Sequence, residues 1–518
     1  MTASAHITGK VWLVGAGPGD AGLLTVKGKA VLDAAQVVVY DALVSPELLS
    51  QLPSGAEKIN VGKRAGRHTM PQEEISRLLL NKAQEGKRVV RLKGGDPFLF
   101  GRGGEELALL TQHGVPYEVV PGVTSALAVP AYCGIPVTHR DYSSSVHIIT
   151  GHKKEGQPLA LPYQALAQTG GTLVFLMSMT ALPEICTGLI KAGMDPATPA
   201  AVLEKGTTAD QQALVCDLAN LPPLAAERQM GAPAVIVVGQ VCALGQTLAW
   251  REKLPLFGCR AVITRPEDSA GTLCERLRQL GAEVLQAPAI CTQALAESPA
   301  QKAAIDQLEC FHWLVFTSPK GVDLFFGALL EHKKDSRALA HARIAAVGRA
   351  TEARLREKGL LADLAPQTHD GEHLAQELSA QLRPGDRVLL PRARAGSPQL
   401  PRLLRERLQA LSPLADVSCQ VQELPLYDTV NAPPGAVDWA KLFEDHPGTL
   451  AVFASASAVR GFAQAAQGLA FDQVIALCIG QQTARQATAL GMRAHVAQEA
   501  TIDALVDLVC KVYKGEVQ

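Results

Sequence analysis

Short apolar runs separated by amphipathic stretches organise this chain. Segments 37–40, 88–92, 117–120, 146–150, 171–177 and 234–238 are rich in Val, Ile and Leu and are bounded by polar or turn-forming residues. Runs of this length with little polar alternation predict strands buried on both faces, and the longer stretches between them predict helices. The first half is therefore expected to be α/β. The pattern is interrupted around 245–258, where Pro and Gly flank a charged segment. Residues 251–257 are read as a linker, with a fresh strand starting at Ala261-Val262-Ile263. No apolar run approaches the roughly 18 residues of a membrane span.

The second half repeats itself. Leu314-Val315-Phe316-Thr317-Ser318 and Ala451-Val452-Phe453-Ala454-Ser455 each run from a buried strand into a hydroxyl-bearing turn. Each is followed by another strand and a Gly-x-x-Thr turn, Gly348 to Thr351 and Gly480 to Thr483, with a further glycine at the same distance, Gly359 and Gly491. Two like α/β lobes are expected. Their turns would place hydroxyls and free N–H groups at helix N-termini on the carboxyl edge of a sheet, and facing lobes would form a cleft suited to carboxylates. A single such hydroxyl is an ordinary helix cap, whereas four in matched positions ask for more than capping.

Composition narrows the picture. At 518 residues the chain exceeds a single core, which stops growing at about 250–300 residues, so three or more lobes are expected. A net charge of −1, with 47% hydrophobic and 19% charged residues, gives no global basicity and argues against nucleic acid as a partner. The 11 cysteines are scattered without a C-x-x-C pair, as in reduced cytoplasmic proteins, and no zinc site is expected. Residues 1–10 lack the basic-then-apolar pattern of a signal peptide, which again predicts the cytoplasm.

Chemistry concentrates in the first half. Gly15-Ala16-Gly17-Pro18-Gly19-Asp20 follows a strand like a dinucleotide fingerprint, but Asp20 stands where the third glycine belongs and Pro18 removes an N–H. Such a loop suits a neutral or cationic ligand, such as the sulfonium of S-adenosylmethionine, better than a pyrophosphate; taken alone it is also a plain Gly/Pro turn. Asp41 follows an apolar run, at a strand's carboxyl end where α/β sites are built, though lone aspartates there usually cap helices. Lys63, Arg64, Arg67, Arg91, Lys93 and Arg102 gather positive charge as a polycarboxylate pocket would need, and solvated surface accounts for part of them. The glycines of Gly94-Gly95-Asp96 allow close approach of a flat ligand, and Asp96 can accept hydrogen bonds from a ribose or an amino group.

These motifs, with Tyr40-Asp41-Ala42-Leu43-Val44, Val61-Gly62-Lys63-Arg64, Val120-Pro121-Gly122-Val123-Thr124-Ser125 and Gly134-Ile135-Pro136-Val137-Thr138-His139-Arg140, resemble the ordered set of the uroporphyrinogen-III C-methyltransferases, a tetrapyrrole methylase family. The resemblance spans 8–250 and implies the two-subdomain methylase fold, with subdomains at about 8–130 and 135–245. It implies S-adenosylmethionine as cofactor, no metal, and methylation of uroporphyrinogen III at C2 and C7 to give precorrin-2. Carried onto matching positions, Pro18, Gly94, Gly95, Asp96, Leu99, Thr124, Ser125, Met177 and Gly206 would line the cofactor site. Asp41 would accept a proton and Lys63 donate one, with Asp20, Arg64 and Arg91 near the substrate.

Residues 258–515 resemble the uroporphyrinogen-III synthases, through Thr264-Arg265-Pro266, Phe316-Thr317-Ser318-Pro319, Leu390-Pro391-Arg392-Ala393, Leu426-Tyr427-Asp428-Thr429 and the repeated turns. That resemblance implies a two-lobed fold, one lobe from about 258–291 plus 427–515 and the other from about 292–426. It also implies cyclisation of hydroxymethylbilane with inversion of ring D. Tyr427 would lie at the crossing between lobes and assist departure of the hydroxyl, although a half-buried strand tyrosine fits the same position. Ser318, Ser455 and Thr483 would bind substrate carboxylates. The expectation is a bifunctional cytoplasmic enzyme of sirohaem or cobalamin biosynthesis acting on small polycarboxylate tetrapyrroles, without nucleic acid or membrane, and with room for a homodimer through the methylase half. Two alternatives stand beside it: a methyltransferase for a later corrin intermediate, and a second half that binds tetrapyrroles without catalysis.

Overall fold

A computed structural model describes residues 9–53, 55–62, 70–151, 160–264, 267–287, 290–367, 371–411, 420–431 and 435–516. Lys63, Arg64, Arg67, Arg265 and Pro266 lie outside the described residues. The chain divides into two bodies, Met1–Ala289 with Ala432–Gln518, and Ile290–Asn431. Among the described residues the first carries three five-stranded sheets and the second carries one.

The first sheet comprises β1 (Lys10–Gly15), β2 (Val37–Tyr40), β3 (Glu57–Asn60), β4 (Arg88–Lys93) and β5 (Tyr117–Val120), all parallel in the order β3-β2-β4-β1-β5. Alternation across the pleat splits β2 between two cores. Val37 and Val39 pack with Leu79 and Leu107 of the helices Gln72–Gln84 and Gly103–Gln112, whereas Val38 and Tyr40 pack with Leu32 and Leu48 on the other face. Burial on both faces is why these strands read as unbroken apolar runs.

The second sheet holds β6 (Val146–Thr150), β7 (Thr172–Leu176), β8 (Pro199–Glu204), β9 (Gln212–Asp217) and β10 (Ala234–Val238), ordered β6-β7-β10-β8-β9. Its β6–β7 pair is parallel and the remaining pairs are antiparallel. The helix Ser125–Tyr132 packs Ala126 and Val129 against Val174, Leu203 and Val237, so the segment that leaves the first sheet is anchored in the core of the second.

Residues 251–257, read as a linker, are packed. They contain the single turn Arg251–Lys253, and Leu256 is fully buried with Ala261, Ile263 and Leu505. The Pro and Gly that suggested a connector shape a turn whose apolar residue completes the next core.

That next sheet is formed by β11 (Arg260–Ile263) and β12 (Glu283–Gln286) together with strands from the far end of the chain. The second body intervenes with β13 (Ile290–Ala294), β14 (Trp313–Phe316), β15 (Arg343–Ala346), β16 (Val388–Ala393) and β17 (Val421–Asn431), ordered β13-β17-β16-β14-β15. There β13 runs antiparallel to β17, and the other pairs are parallel. The chain then returns through β18 (Leu450–Phe453), β19 (Ile475–Cys478) and β20 (Arg493–Val496), completing the parallel order β12-β11-β18-β19-β20. Among the described residues no helix is long and apolar enough to cross a membrane.

Candidate functional site

Two adjoining cavities of about 680 and 560 Å³ open in the first body, sharing Leu43, Ser125, Pro233 and Ala234. The larger is lined by Asp41, Lys93, Gly94, Leu99 and Met177, and the smaller by Pro18, Gly19 and Gly206. Around them, Phe100, Met177, Lys205 and Thr207 hold φ between 46° and 72°. Non-glycine residues in this left-handed region cost on the order of 1–3 kcal/mol each, and such strain gathers where a ligand wall must take a particular shape. Residue type gave no warning of Lys205 or Thr207.

Glycine is required where three loops meet. A Cβ on Gly15 would lie 2.5 Å from the Gly122 Cα, and one on Gly122 would lie 2.3 Å from the Gly95 carbonyl oxygen. Gly17 and Gly95 exchange backbone hydrogen bonds of 3.3 and 2.7 Å. Asp96 ties the same loops: Oδ1 accepts from the Phe98 and Leu99 N–H groups at 2.9 and 3.0 Å, and Oδ2 accepts from Gly122 at 3.1 Å. Thr124 caps the helix Ser125–Tyr132 by accepting from Ala126 N–H at 3.3 Å. Gly95, Asp96 and Thr124 thus build the wall from behind, whereas Pro18, Gly94, Leu99, Ser125, Met177 and Gly206 face the cavities.

Asp41 stands just past β2 with its side chain a quarter exposed; Oδ1 accepts from the Leu43 N–H at 3.1 Å. Arg91 lies 3.6 Å from Asp41 Oδ2, but it is 3% exposed and its Nε donates to Glu106 at 3.3 Å. It stands behind Asp41 and does not line either cavity. Glu106 Oε1 also accepts from Lys93 Nζ and Gln72 Nε2, each at 2.9 Å, while its buried Oε2 has no partner among the described residues. Burial, then the charge of Arg91, pushes the Lys93 ammonium below the ordinary lysine range against the pull of Glu106. Arg91 and Lys93 are two apart on a strand and so share a face, a signal that the sequence does contain.

Asp20 is committed elsewhere. Its Oδ1 accepts from the Gly22 N–H at 2.7 Å and its Oδ2 from the Tyr132 hydroxyl at 2.8 Å, and it lines neither large cavity. Nearby, Glu47 is buried and pairs with Arg278 at 2.7 Å; burial pushes its carboxyl up to about 7 despite that guanidinium.

In the second body, Ser318 caps the helix Pro319–Glu331 by accepting from Gly321 N–H at 3.0 Å, and its Oγ lies 2.8 Å from the Tyr427 hydroxyl. Tyr427 sits inside β17, 8% exposed, and lines a cavity of about 540 Å³ together with Thr317 and the buried Arg392. Arg392 donates to Glu423 at 3.2 Å and to the Ser397 carbonyl at 2.7 Å, and sequence reasoning gave it no place in the site. In the first body, Ser455 caps Ala456–Ala465 in the same manner, accepting from Ala458 N–H at 3.2 Å. Thr483 lies inside the helix Gln481–Ala489 and is 4% exposed, so the turn at Gly480 offers backbone N–H groups more than a hydroxyl.

Residues 10–222 match the family of Tetrapyrrole (Corrin/Porphyrin) Methylases, and residues 271–507 match Uroporphyrinogen-III synthase HemD. A porphyrin biosynthesis protein HemD of Ruminiclostridium josui is 42% identical over 98% of this chain and 99% of its own length. An S-adenosyl-L-methionine-dependent uroporphyrinogen III methyltransferase of Methanosarcina barkeri is 54% identical, covering 46% of this chain and 94% of that protein. A siroheme synthase of Pseudomonas aeruginosa is 51% identical over 48% of this chain, which spans about half, 53%, of that relative's length.

Proposed function

Because the chain belongs to the family in which a tetrapyrrole methylase is fused to a uroporphyrinogen-III synthase, we propose that Pro18, Gly94, Leu99, Ser125, Met177 and Gly206 hold S-adenosylmethionine beside Asp41. The protein is a bifunctional enzyme of tetrapyrrole biosynthesis, an S-adenosylmethionine-dependent uroporphyrinogen III methyltransferase joined to a uroporphyrinogen III synthase.

The walls suit that cofactor. Leu99 and Met177 are apolar, Pro18 offers no N–H to a phosphate, and Asp41 puts a carboxylate within reach of a cation. When bound, the cofactor supplies an electrophilic methyl group for in-line attack by a pyrrole carbon. Asp41, braced by the Leu43 N–H and by Arg91, takes the proton released after attack at C2 and C7, giving precorrin-2. Lys63, outside the described residues, remains the proton donor in this reading, and Arg64, equally outside, a substrate contact. In the synthase half, the Tyr427 hydroxyl, aligned by Ser318, protonates the departing hydroxyl of hydroxymethylbilane. Within the second body, Arg392 and the turn at Ser318 receive substrate carboxylates, and the turns at Ser455 and Gly480 of the first body are suited to the same groups.

The observation that most supports this reading is that six positions far apart in sequence line two adjoining cavities, with Asp41 in the wall of one. Replacing Asp41 by Asn keeps its shape and removes the base. Asp41→Asn should slow methylation by about 10²–10⁴ while leaving affinity for S-adenosylhomocysteine within about threefold. Near-normal turnover would return Asp41 to a turn-forming aspartate.

A further inference from the structure

The smaller cavity of the first body has walls from both halves of the chain. Pro18, Ser125 and Gly206 belong to the methylase half, whereas Arg260, Glu283 and His446 belong to the synthase half. They meet at Asp210, in the loop between β8 and β9 that also carries Gly206. Arg260 is 6% exposed; its Nη2 donates to Asp210 Oδ2 at 2.9 Å and to Glu283 Oε2 at 3.0 Å, and its buried Nε has no partner among the described residues. His446 Nδ1 lies 3.3 Å from the same Asp210 oxygen, and Glu283 Oε2 accepts from the Ala209 N–H at 2.8 Å. Burial opposes ionisation of Asp210, yet His446 and Arg260 together hold its carboxyl well below the usual carboxylate range.

The loop gripped in this way is strained. Lys205 and Thr207 hold φ of 46° and 72°, conformations that persist only where surrounding contacts over-determine them. Thr207 Oγ1 in turn accepts from the Asp20 N–H at 3.1 Å, linking the loop to the Pro18 turn on the opposite wall. A continuous series of contacts therefore runs from Arg260 and His446 of the synthase half, through Asp210 and the strained loop, to Gly206 and Pro18.

We infer that the synthase half is part of the methylase's cofactor site, with His446 and Arg260 acting as positioning residues that hold the 205–210 loop against the ligand. This rests on the reading above that the cavity takes S-adenosylmethionine. It also explains a buried guanidinium whose partners come from both halves.

The test uses the full chain with S-adenosylhomocysteine as calorimetric probe. His446→Gln and Asp210→Asn should each weaken binding about five- to tenfold, and the double variant should lose no more than the weaker single variant, as expected for groups acting through one contact. The KM for uroporphyrinogen III should stay unchanged, which a general loss of structure would not allow, whereas Asp210→Asn should lower the thermal midpoint without ligand because Arg260 then keeps only Glu283 as a charged partner. Lys441→Ala, an exposed change on the helix that precedes His446, should leave binding alone. Hydrogen exchange on the unsubstituted chain gives an answer that does not depend on any variant folding: S-adenosylhomocysteine should protect amides of 260–263 and 446–449 as well as those of 205–210. Unchanged affinity in folded variants, or protection confined to the methylase half, overturns the inference and leaves the cofactor reading standing. An unsubstituted chain that binds no S-adenosylhomocysteine overturns both.

Discussion

Ser318 and Ser455 end equivalent strands and open equivalent helices, but they have different company. Their backbones nearly superimpose in torsion, φ −161° and ψ 152° against φ −164° and ψ 158°, and each hydroxyl caps its helix three residues on. Ser318 then meets the Tyr427 hydroxyl, whereas Ser455 meets Ser457 at 2.9 Å on its own helix. The cap is a local property that a repeat copies. A partner from elsewhere in the fold is not: Tyr427 comes from β17, with β16 standing between that strand and β14. Duplicating a turn duplicates its free helix-terminal N–H groups, whereas the side chain set beside the hydroxyl depends on which distant strand is brought alongside.

The largest effect should come from removing that side chain's hydroxyl. Tyr427→Phe is expected to slow formation of the type III isomer by about 10²–10⁴ and to let spontaneous closure to the type I isomer dominate. Chromatography of the products from hydroxymethylbilane checks this, with methylation of added uroporphyrinogen III as the internal control. Retention of type III product at near-normal rate would erase the distinction between the two serines. A smaller, paired effect is expected from Ser318→Ala and Ser455→Ala. Each should lose about 1 kcal/mol of stability with its cap, read from denaturant melts. Ser318→Ala should in addition lose roughly tenfold more synthase activity than Ser455→Ala, because it alone leaves the phenol without its aligning oxygen. Equal losses would mean that both hydroxyls act as carboxylate ligands and neither as an aligner. The smallest effects belong to Thr351→Val and Thr483→Val. Both side chains are buried in first helical turns, so each change should shift stability by about 1 kcal/mol or less and leave kinetics intact. A raised KM in Thr483→Val alone would restore that hydroxyl as a substrate ligand.

What could be read from the sequence follows the same division between local and distant. Strands such as 37–40 and 234–238 were legible because a strand buried on both faces must be apolar at every position, and the serine turns because capping is decided within four residues. Asp20 was not legible: a carboxylate in a glycine turn looks available to a ligand until Tyr132, from a helix more than a hundred residues on, takes its second oxygen. Asp96 looked like a ribose acceptor for the same reason, and Gly122 supplies the third of its backbone donors. Glu106 carried only a faint signal, an acid on the apolar face of Gly103–Gln112, and it proves to be the hub that gathers Arg91, Lys93 and Gln72. The packing of segment 251–257 was not legible, because Pro and Gly mark turns and connectors alike and the burial of Leu256 depends on the core that follows.

The placement of β11 also bears on how the protein is made. β11 pairs with β12, its neighbour in sequence, on one side, and on the other side it needs β18, which leaves the ribosome only after the whole of Ile290–Asn431. At translation rates of about 5–20 residues per second, the nascent chain carries that open edge for on the order of ten seconds or more. The methylase sheets close earlier, from strands that are all already synthesised, and they offer the waiting pair a surface: Glu47 for Arg278, and the Ser50 hydroxyl for the Gln286 N–H at 3.0 Å. The first-made sheets thereby offer β12 and the helix before it a docking surface during synthesis, while the β11 edge that pairs with β18 stays open until that strand is made.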